Sequence, residues 1–173
     1  MPTEVITMND MLANAYEPLR VYRWIFGIDG LDAFTAKTFA RPSRTFEEIV
    51  IDWINTKHWF SGKHVWNDIT LVLYNPIAPS ASVKVMEWCR LNYEEQTGRA
   101  GYAENYKKNV TLKMLDPVGA VAEKWEIGGA WPREVNFGEL DYASSEAATV
   151  SMTLRYDSAQ PVAAAAGSPI SLT

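Results

Sequence analysis

Residues 149–157, Thr-Val-Ser-Met-Thr-Leu-Arg-Tyr-Asp, carry the clearest strand pattern in the chain. Apolar or aromatic side chains occupy the even positions from Val150 to Tyr156, and polar side chains occupy the odd ones. A period of two places the first set on one face of a β-strand and the second set on the other. The stretch therefore predicts a half-buried strand, in a sheet that has one face packed on the core and the other exposed to solvent.

The same alternation recurs upstream in four further stretches: residues 48–54, 69–73, 110–114 and 122–127. Residues 20–28 and 34–40 are predicted to form a hairpin, because Asp29-Gly30 between two apolar runs favours a tight turn. The segment 55–67 is polar and aromatic without a clear period, and we interpret it as a long loop. The Ala-rich tail from Gln160 to Thr173 is expected to be loose.

One helix is predicted, beginning near Ser80 or Ser82, which can cap free N–H groups, and running to about Gln96 before Gly98. Its apolar face carries four residues at helical spacing: Val85, Met86, Cys89 and Tyr93. About seven strands and one helix predict a mainly β fold, an antiparallel sandwich or barrel with one packed helix. We expect a single domain over 1–173, with a core at about 20–157 and terminal extensions at 1–18 and 160–173.

The composition narrows the classes of function. The chain has 173 residues, enough for one domain with a full core, and a formal charge of -5, which disfavours a tight phosphate-binding groove. Seven Trp and eight Tyr residues indicate a protein that assembles, because these side chains are favoured at interfaces. Residues 1–18 lack the pattern of a signal peptide, and no run approaches the ~20 apolar residues of a membrane span. We therefore expect a soluble protein, made in the cytoplasm, with no membrane anchor.

Residue patterns typical of catalysis are missing from the sequence. It has no glycine-rich phosphate loop and no nucleophile-elbow serine. His58 and His64 have no Cys or paired acid at ligand spacing, so we interpret them as surface residues. The single cysteine, Cys89, lies on the apolar helix face and is interpreted as a buried small side chain. We predict no catalytic residues, no metal site and no cofactor.

The aromatic segment is the main candidate for a partner surface. Its rings either fold back onto the core or contact another subunit, and the sequence leaves both readings open. The candidate contact residues are Lys57, Trp59, Phe60, His64 and Trp66.

A resemblance to a known family rests on the C-terminal third. From Glu123 to Tyr142 the sequence reads Glu-Lys-Trp-Glu-Ile-Gly-Gly-Ala-Trp-Pro-Arg-Glu-Val-Asn-Phe-Gly-Glu-Leu-Asp-Tyr, and it is followed by Ser144 and by Thr153-Leu-Arg-Tyr-Asp157. This pattern resembles the tail tube proteins of contractile-tailed bacteriophages, which are related to Hcp-like tube proteins. Ile28–Lys37 resembles the first hairpin of that family, and Pro79–Trp88 resembles its single helix. The residues matching the family motif are Gly129, Ala130, Trp131, Asn136, Phe137, Gly138, Asp141, Tyr142, Arg155, Tyr156 and Asp157.

The resemblance implies a structural virion protein located in the tail tube and assembled in the host cytoplasm. It implies six-membered rings stacked into a tube, with four strands per subunit in one continuous barrel around a bore through which double-stranded DNA passes without specific binding. The implied partners are the tail sheath and the baseplate or initiator and terminator proteins. The residues on the polar sides of the predicted strands, which we expect to face the bore, are Thr35, Lys37, Glu48, Asp52, Thr111, Lys113, Lys124 and Glu126.

Two alternatives remain open at this point. The same architecture serves as the inner tube of a tailocin or of a type VI secretion-like contractile injection system. More remotely, a small β-barrel could bind a ligand or catalyse a reaction, which requires polar groups converging on a closed pocket.

Overall fold

The computed structural model describes residues 18–163. The strands are β1 (Trp24–Ile28), β2 (Ala36–Phe39), β3 (Arg44–Trp53), β4 (Thr56–Trp66), β5 (Ile69–Tyr74), β6 (Tyr93–Glu94), β7 (Arg99–Ala100), β8 (Lys108–Leu115), β9 (Val121–Asn136), β10 (Thr149–Arg155) and β11 (Ser158–Ala163). The helices are α1 (Ala81–Asn92) and α2 (Ala103–Tyr106), and a 3-10 turn covers Ala33–Thr35. The fold is mainly β, as the alternating stretches predict.

Strand β9 organises the subunit because it belongs to two sheets. Its first part pairs with β8 on one side and β11 on the other, and its last part pairs with β10. The strand order is β1-β8-β9-β10-β5-β2, with β11 beside β9, and every pairing is antiparallel. The chain bends between the two parts at Gly129, whose φ of 67° is a left-handed conformation that glycine adopts without strain. The two sheets therefore enclose one core.

The core confirms the predicted alternation in three strands. In β5, β8 and β10 every second residue is buried, and Leu71, Leu73 and Val150 are fully inaccessible. Helix α1 covers this core with three buried side chains: Ala81, Val85 and Trp88. The helix ends at Asn92, earlier than predicted, because the chain turns there into the ribbon formed by the two-residue strands β6 and β7. The first turn of the helix is capped by Asn75 Oδ1, which accepts a hydrogen bond from Ser82 N at 3.2 Å.

The predicted hairpin of residues 20–28 and 34–40 is wrong. The tight turn at Asp29-Gly30 does form, with φ 87° at Gly30. The chain then enters the 3-10 turn and is redirected, so that β1 pairs with β8 while β2 pairs with β5. The two strands end at opposite ends of the strand order.

The predicted loop at 55–67 is also wrong, because most of it is β4, which pairs with β3 over nearly its full length. The tail prediction is wrong for its first residues, since Gln160–Ala163 lie in β11 and pair with β9. The rest of the tail and the N-terminal segment 1–17 lie outside the described residues.

Candidate assembly surfaces

The β3–β4 hairpin is the largest exposed apolar feature of the subunit. All ten residues of β3 are exposed, and so are nine of the eleven residues of β4. The two strands pair only with each other, and away from the base, where Trp66 packs on the core, almost all of their residues are exposed. Large side chains such as Trp53 (64% exposed) and Trp59 (62% exposed) therefore stand in solvent in the single subunit. Exposed apolar surface of this extent marks a contact site.

The two faces of the hairpin differ in chemistry, since cross-strand partners share a face. One face carries three apolar residues of β3, Ile49, Ile51 and Trp53, with Phe60 opposite Ile49. The other face carries Glu48 opposite Ser61, Val50 opposite Trp59, and Asp52 opposite Lys57. The Asp52 carboxylate and the Lys57 ammonium are 3.4 Å apart. We call these the apolar face and the polar face of the hairpin.

The predicted contact residues are divided by this geometry. Phe60 lies on the apolar face, whereas Lys57 and Trp59 lie on the polar face. His64 lies at the base, between the rings of Phe46 and Trp66. Trp66 packs against Tyr156, with ring centroids 5.7 Å apart, and against the core. The alternative of rings folding back onto the core therefore holds for Trp66, while Trp59 and Phe60 remain exposed.

The base of the hairpin is held by a charged cluster that links it to β10. Arg155 Nη1 donates to the carbonyl oxygen of Trp66 at 2.8 Å and to Asp68 Oδ1 at 2.9 Å. Arg133 pairs with the other oxygen of the same carboxylate. On the opposite strand, Asn67 N donates to the carbonyl oxygen of Ser43 at 2.9 Å. These contacts fix the direction in which the hairpin leaves the body.

The cluster also changes the acidity of its carboxylate. The hydrogen bond from Arg155 lowers the pKa of Asp68, and the Arg133 side chain lowers it further, while partial burial acts in the opposite direction. Asp68 is therefore ionised throughout the neutral range. Burial raises the pKa of the Cys89 thiol, which agrees with a packed rather than a reactive cysteine.

A second candidate surface is the polar face of β8 and β9. Thr111 pairs with Glu126 and Lys113 pairs with Lys124, so these four predicted bore residues share one face of the sheet. Lys124 and Glu126 form an ion pair on it. The same face continues onto β1 through Ile25 and Gly27 and onto β11 through Gln160 and Val162, so it is polar at its centre and less so at its edges. The four adjacent strands have the order β1-β8-β9-β11.

The other four predicted bore residues lie elsewhere. Glu48 and Asp52 lie on the polar face of the hairpin. Lys37 lies on β2, with its ammonium 5.3 Å from the centre of the Tyr74 ring. Thr35 is a correction: it is buried in the 3-10 turn, where its hydroxyl donates to the carbonyl oxygen of Asp32 at 2.7 Å, so it does not face an open surface.

Several motif residues of the C-terminal third have structural tasks. A side chain at Gly129 would clash with Asp157 Oδ2, so glycine admits the carboxylate that pairs with Lys107 Nζ at 2.7 Å. Ala130 is fully buried, and the ring of Trp131 meets Tyr106 at 6.2 Å.

Five further motif residues are Asn136, which ends β9, and Phe137, Gly138, Asp141 and Tyr142 in the exposed connection after it. Asn136 Oδ1 accepts from Gly138 N at 2.8 Å and Asp141 Oδ1 accepts from Ala143 N at 3.0 Å, both local turn contacts. Phe137 and Tyr142 are exposed. This connection adds apolar surface to the subunit.

Sequence reasoning missed Asp68 and Arg133, which lie 65 residues apart in the chain. Asp68 stands in no motif, and Arg133 lies inside the family run from Glu123 to Tyr142 without having been assigned a role. The one signal was that each is a polar residue beside or within a strand. Among residues 18–163, no cluster of three or more His, Cys, Asp or Glu side chains could hold a metal ion. None of the helices in that range has the length and apolar character needed to span a bilayer.

Comparisons with known proteins agree on one family. The family described as T4-like virus tail tube protein gp19 matches residues 44–160. Tail tube protein gp19 of Enterobacteria phage T4 is 30% identical over 129 residues, covering 72% of this chain and 78% of that protein. A tail tube protein of Serratia phage KSP90 is 26% identical over 124 residues, covering 70% of each.

Solved structures share the fold at lower identity. A chain in the anti-feeding prophage tube-terminating cap aligns with a TM-score of 0.71 and 19% identity, covering 92% of this chain and 100% of its own length. A chain of the PVC extracellular contractile injection system, in its extended sheath–tube complex, aligns with a TM-score of 0.68 and 19% identity, covering 91% and 99%.

Proposed function

The chain belongs to the T4-like virus tail tube protein family, and from that premise we propose that its subunits form six-membered rings which stack into the tail tube of a virion. The observation that carries this proposal is the apolar face of the β3–β4 hairpin. A structural role in which copies cover each other explains why the subunit presents this face to water. The role we assign is mechanical rather than catalytic.

Burial of the apolar face of the hairpin between subunits contributes favourable free energy to assembly. Four large side chains, Ile49, Ile51, Trp53 and Phe60, are each about half exposed or more. Covering the exposed part gives roughly 3–6 kcal/mol per contact before the costs of association. Each contact repeats around a ring and along a tube, so a modest value per subunit yields a stable assembly.

The barrel geometry fits the passage of DNA. Six subunits with four strands each make ~24 strands, which at ~4.8 Å spacing and ~40° tilt close at a diameter of about 47 Å. The sheet β1-β8-β9-β11 has four strands and a polar face, and we assign that face to the bore. Side chains leave about 35–40 Å, wider than a duplex of about 20 Å, and closure removes free strand edges.

The proposed lining is close to neutral. It carries Lys113 and Lys124 against Glu126 on the sheet, and the polar face of the hairpin contributes Glu48, Asp52 and Lys57. A balanced or acidic lining avoids the counterion release that makes basic channels hold DNA. We propose transient passage of double-stranded DNA without specific binding.

The partners of the tube follow from its place in the particle. Structures that share this fold come from a baseplate, a tube-terminating cap and a sheath–tube complex. We propose that the outside of this tube contacts a sheath and that its two ends contact baseplate and terminator proteins. Assembly in the host cytoplasm is part of the same proposal.

Negative-stain microscopy of the purified protein tests the proposal. Rings with six subunits, or tubes built from them, are the expected result, alone or after coexpression with baseplate or initiator proteins. A monodisperse monomer of about 19 kDa under all of these conditions would contradict it.

The variant Trp53→Ser with Phe60→Ser, which removes both rings from the apolar face of the hairpin, sharpens this test. Both rings are more than half exposed, so the monomer should stay folded, with an unchanged circular dichroism spectrum. Losing two rings costs about 2–3 kcal/mol per contact, which lowers the association constant roughly 30- to 150-fold. The matched control is Tyr102→Ser, an exposed aromatic outside the hairpin. Unchanged tube formation by the double variant would refute the assigned contact.

A further inference from the structure

The tip of the β3–β4 hairpin has an unusual residue for its backbone. Trp53 pairs with Thr56, so Ile54 and Asn55 form a two-residue turn. The φ of Ile54 is 43°, and among residues 18–163 it is the only non-glycine residue with a positive φ. A positive φ at the first turn position belongs to a turn type in which glycine is favoured. A β-branched side chain is among the least suited to that conformation.

Solvent exposure also disfavours isoleucine at this position. The side chain is 95% exposed, so it stabilises nothing within its own subunit. Glycine would relieve the backbone, and asparagine or aspartate would suit both the turn and the water. Strained residues of this kind are typical of functional positions, where an interaction outside the local structure compensates for the strain.

The reach of the hairpin indicates where such an interaction lies. From Thr45 to Trp53 the strand extends about 30 Å at ~3.4 Å per residue, whereas a domain of this size has a radius of gyration of about 15 Å. In the barrel described above, each subunit occupies about 25 Å of the circumference. The hairpin is therefore long enough for its tip to reach a neighbouring subunit.

The electrostatics of the tip suit a second copy of the same chain. Each copy carries a formal charge of -5, so two copies repel at most approaches. Next to the tip, Asp52 is neutralised by Lys57 at 3.4 Å. The apolar face of the hairpin also continues to the tip through Trp53, so the contact of Ile54 extends the contact already assigned.

We propose that Ile54 is a docking residue whose side chain is received by a second copy of this chain in the assembled tube. This inference rests on the proposed tube function, and it names the residue at the tip of the hairpin that contacts the neighbouring copy. The tip tolerates an unfavourable backbone in the free subunit because the assembled state covers the side chain.

The experiment compares Ile54→Gly, Ile54→Leu and the wild type in two measurements. Thermal unfolding of the dissociated subunit should show Ile54→Gly equal to or more stable than the wild type. The critical concentration for tube formation, followed by sedimentation and microscopy, should rise at least about tenfold for Ile54→Gly and stay near wild type for Ile54→Leu. Ile77→Gly, which removes another fully exposed isoleucine, is the matched control and should assemble normally.

A crosslinking experiment identifies which protein contacts Ile54. Ile54→Cys in a Cys89→Ser background, labelled with a photoactivated crosslinker and assembled with its sheath protein, should give crosslinks between two copies of this chain. Crosslinks to the sheath alone would overturn the proposal.

The other outcomes separate the two claims. If Ile54→Gly assembles like the wild type, the docking role fails while the tube function stands. If Ile54→Gly destabilises the dissociated subunit, the side chain acts within its own subunit and the proposal fails. If the wild type forms neither rings nor tubes, the proposed function fails, and this inference fails with it.

Discussion

Replacing Arg155 by Met tests whether the charged cluster holds the hairpin in position. The substitution keeps a long apolar side chain but leaves the carbonyl oxygen of Trp66 without its donor at 2.8 Å and leaves Asp68 with Arg133 alone. Hydrogen bonds from a charged donor contribute about 1.5–3 kcal/mol, and the side chain of Arg155 is 37% exposed, which reduces the value. We expect a loss of about 1–2 kcal/mol in the free energy of unfolding, or a Tm lower by roughly 3–6 °C.

The assay combines unfolding with hydrogen exchange. Amides of β3 and β4 should exchange faster in Arg155→Met, because the base of the hairpin loses an anchor, while those of β8 should be unchanged. Arg133→Met, which removes only the more exposed partner of Asp68, is the matched control and should have the smaller effect on both measurements. Equal exchange in the hairpin of wild type and Arg155→Met would refute the anchoring role.

The pH dependence of the same cluster gives a second check. The pKa of Asp68 is lowered in the folded state, so its stabilising contribution is fully present above the unfolded pKa of about 3.9 and is lost as the pH falls through the lower folded value. The stability difference between wild type and Asp68→Asn should be constant above about pH 5 and shrink only in more acidic solution. A difference that shrinks near neutral pH would contradict the assignment.

The remaining predictions concern the bore and the bend in β9. Changing Glu48, Asp52 and Glu126 together to Lys swings the lining by about six charges per subunit and roughly 36 per ring, so tubes should assemble yet retain duplex DNA in a strongly salt-dependent way. The matched control reverses three exposed acids of another loop: Glu139, Asp141 and Glu146. Normal DNA release by the lining variant would show that these acids do not face the bore. Gly129→Ala should lower stability by about 1–3 kcal/mol in thermal unfolding, because the residue has a positive φ and its new methyl group would displace Asp157; an unchanged Tm would contradict this.

Much of the fold was predictable because the information is local. In β5, β8 and β10 the pleat itself places alternate residues on opposite faces, so one-sided burial appears directly as a period of two. The motif residues of the C-terminal third pointed to the correct family because they, too, form a local pattern that can be recognised without knowing which strands pair.

The β3–β4 hairpin shows where local information ends. Both strands face solvent within one subunit. The alternation of residues 48–54 therefore did not mean burial, since all of β3 is exposed, and β4 shows no alternation at all. A bulge between Phe46 and Glu48 also shifts the register. In the assembly we propose, the partner surface of the hairpin belongs to another copy of the chain.

Long-range pairing was equally inaccessible to sequence reasoning. Whether β1 pairs with β2 or with β8 depends on which partner completes the core, a competition between segments some 80 residues apart. The contact between Arg155 and Asp68 joins residues 87 positions apart in the chain. The two side chains can anchor the base of the hairpin only once the fold has brought the end of β4 next to β10. Strand character and family follow from neighbouring residues. The partners of each strand, and the apolar surface that stays exposed, follow from how the packed sheets bring distant residues together.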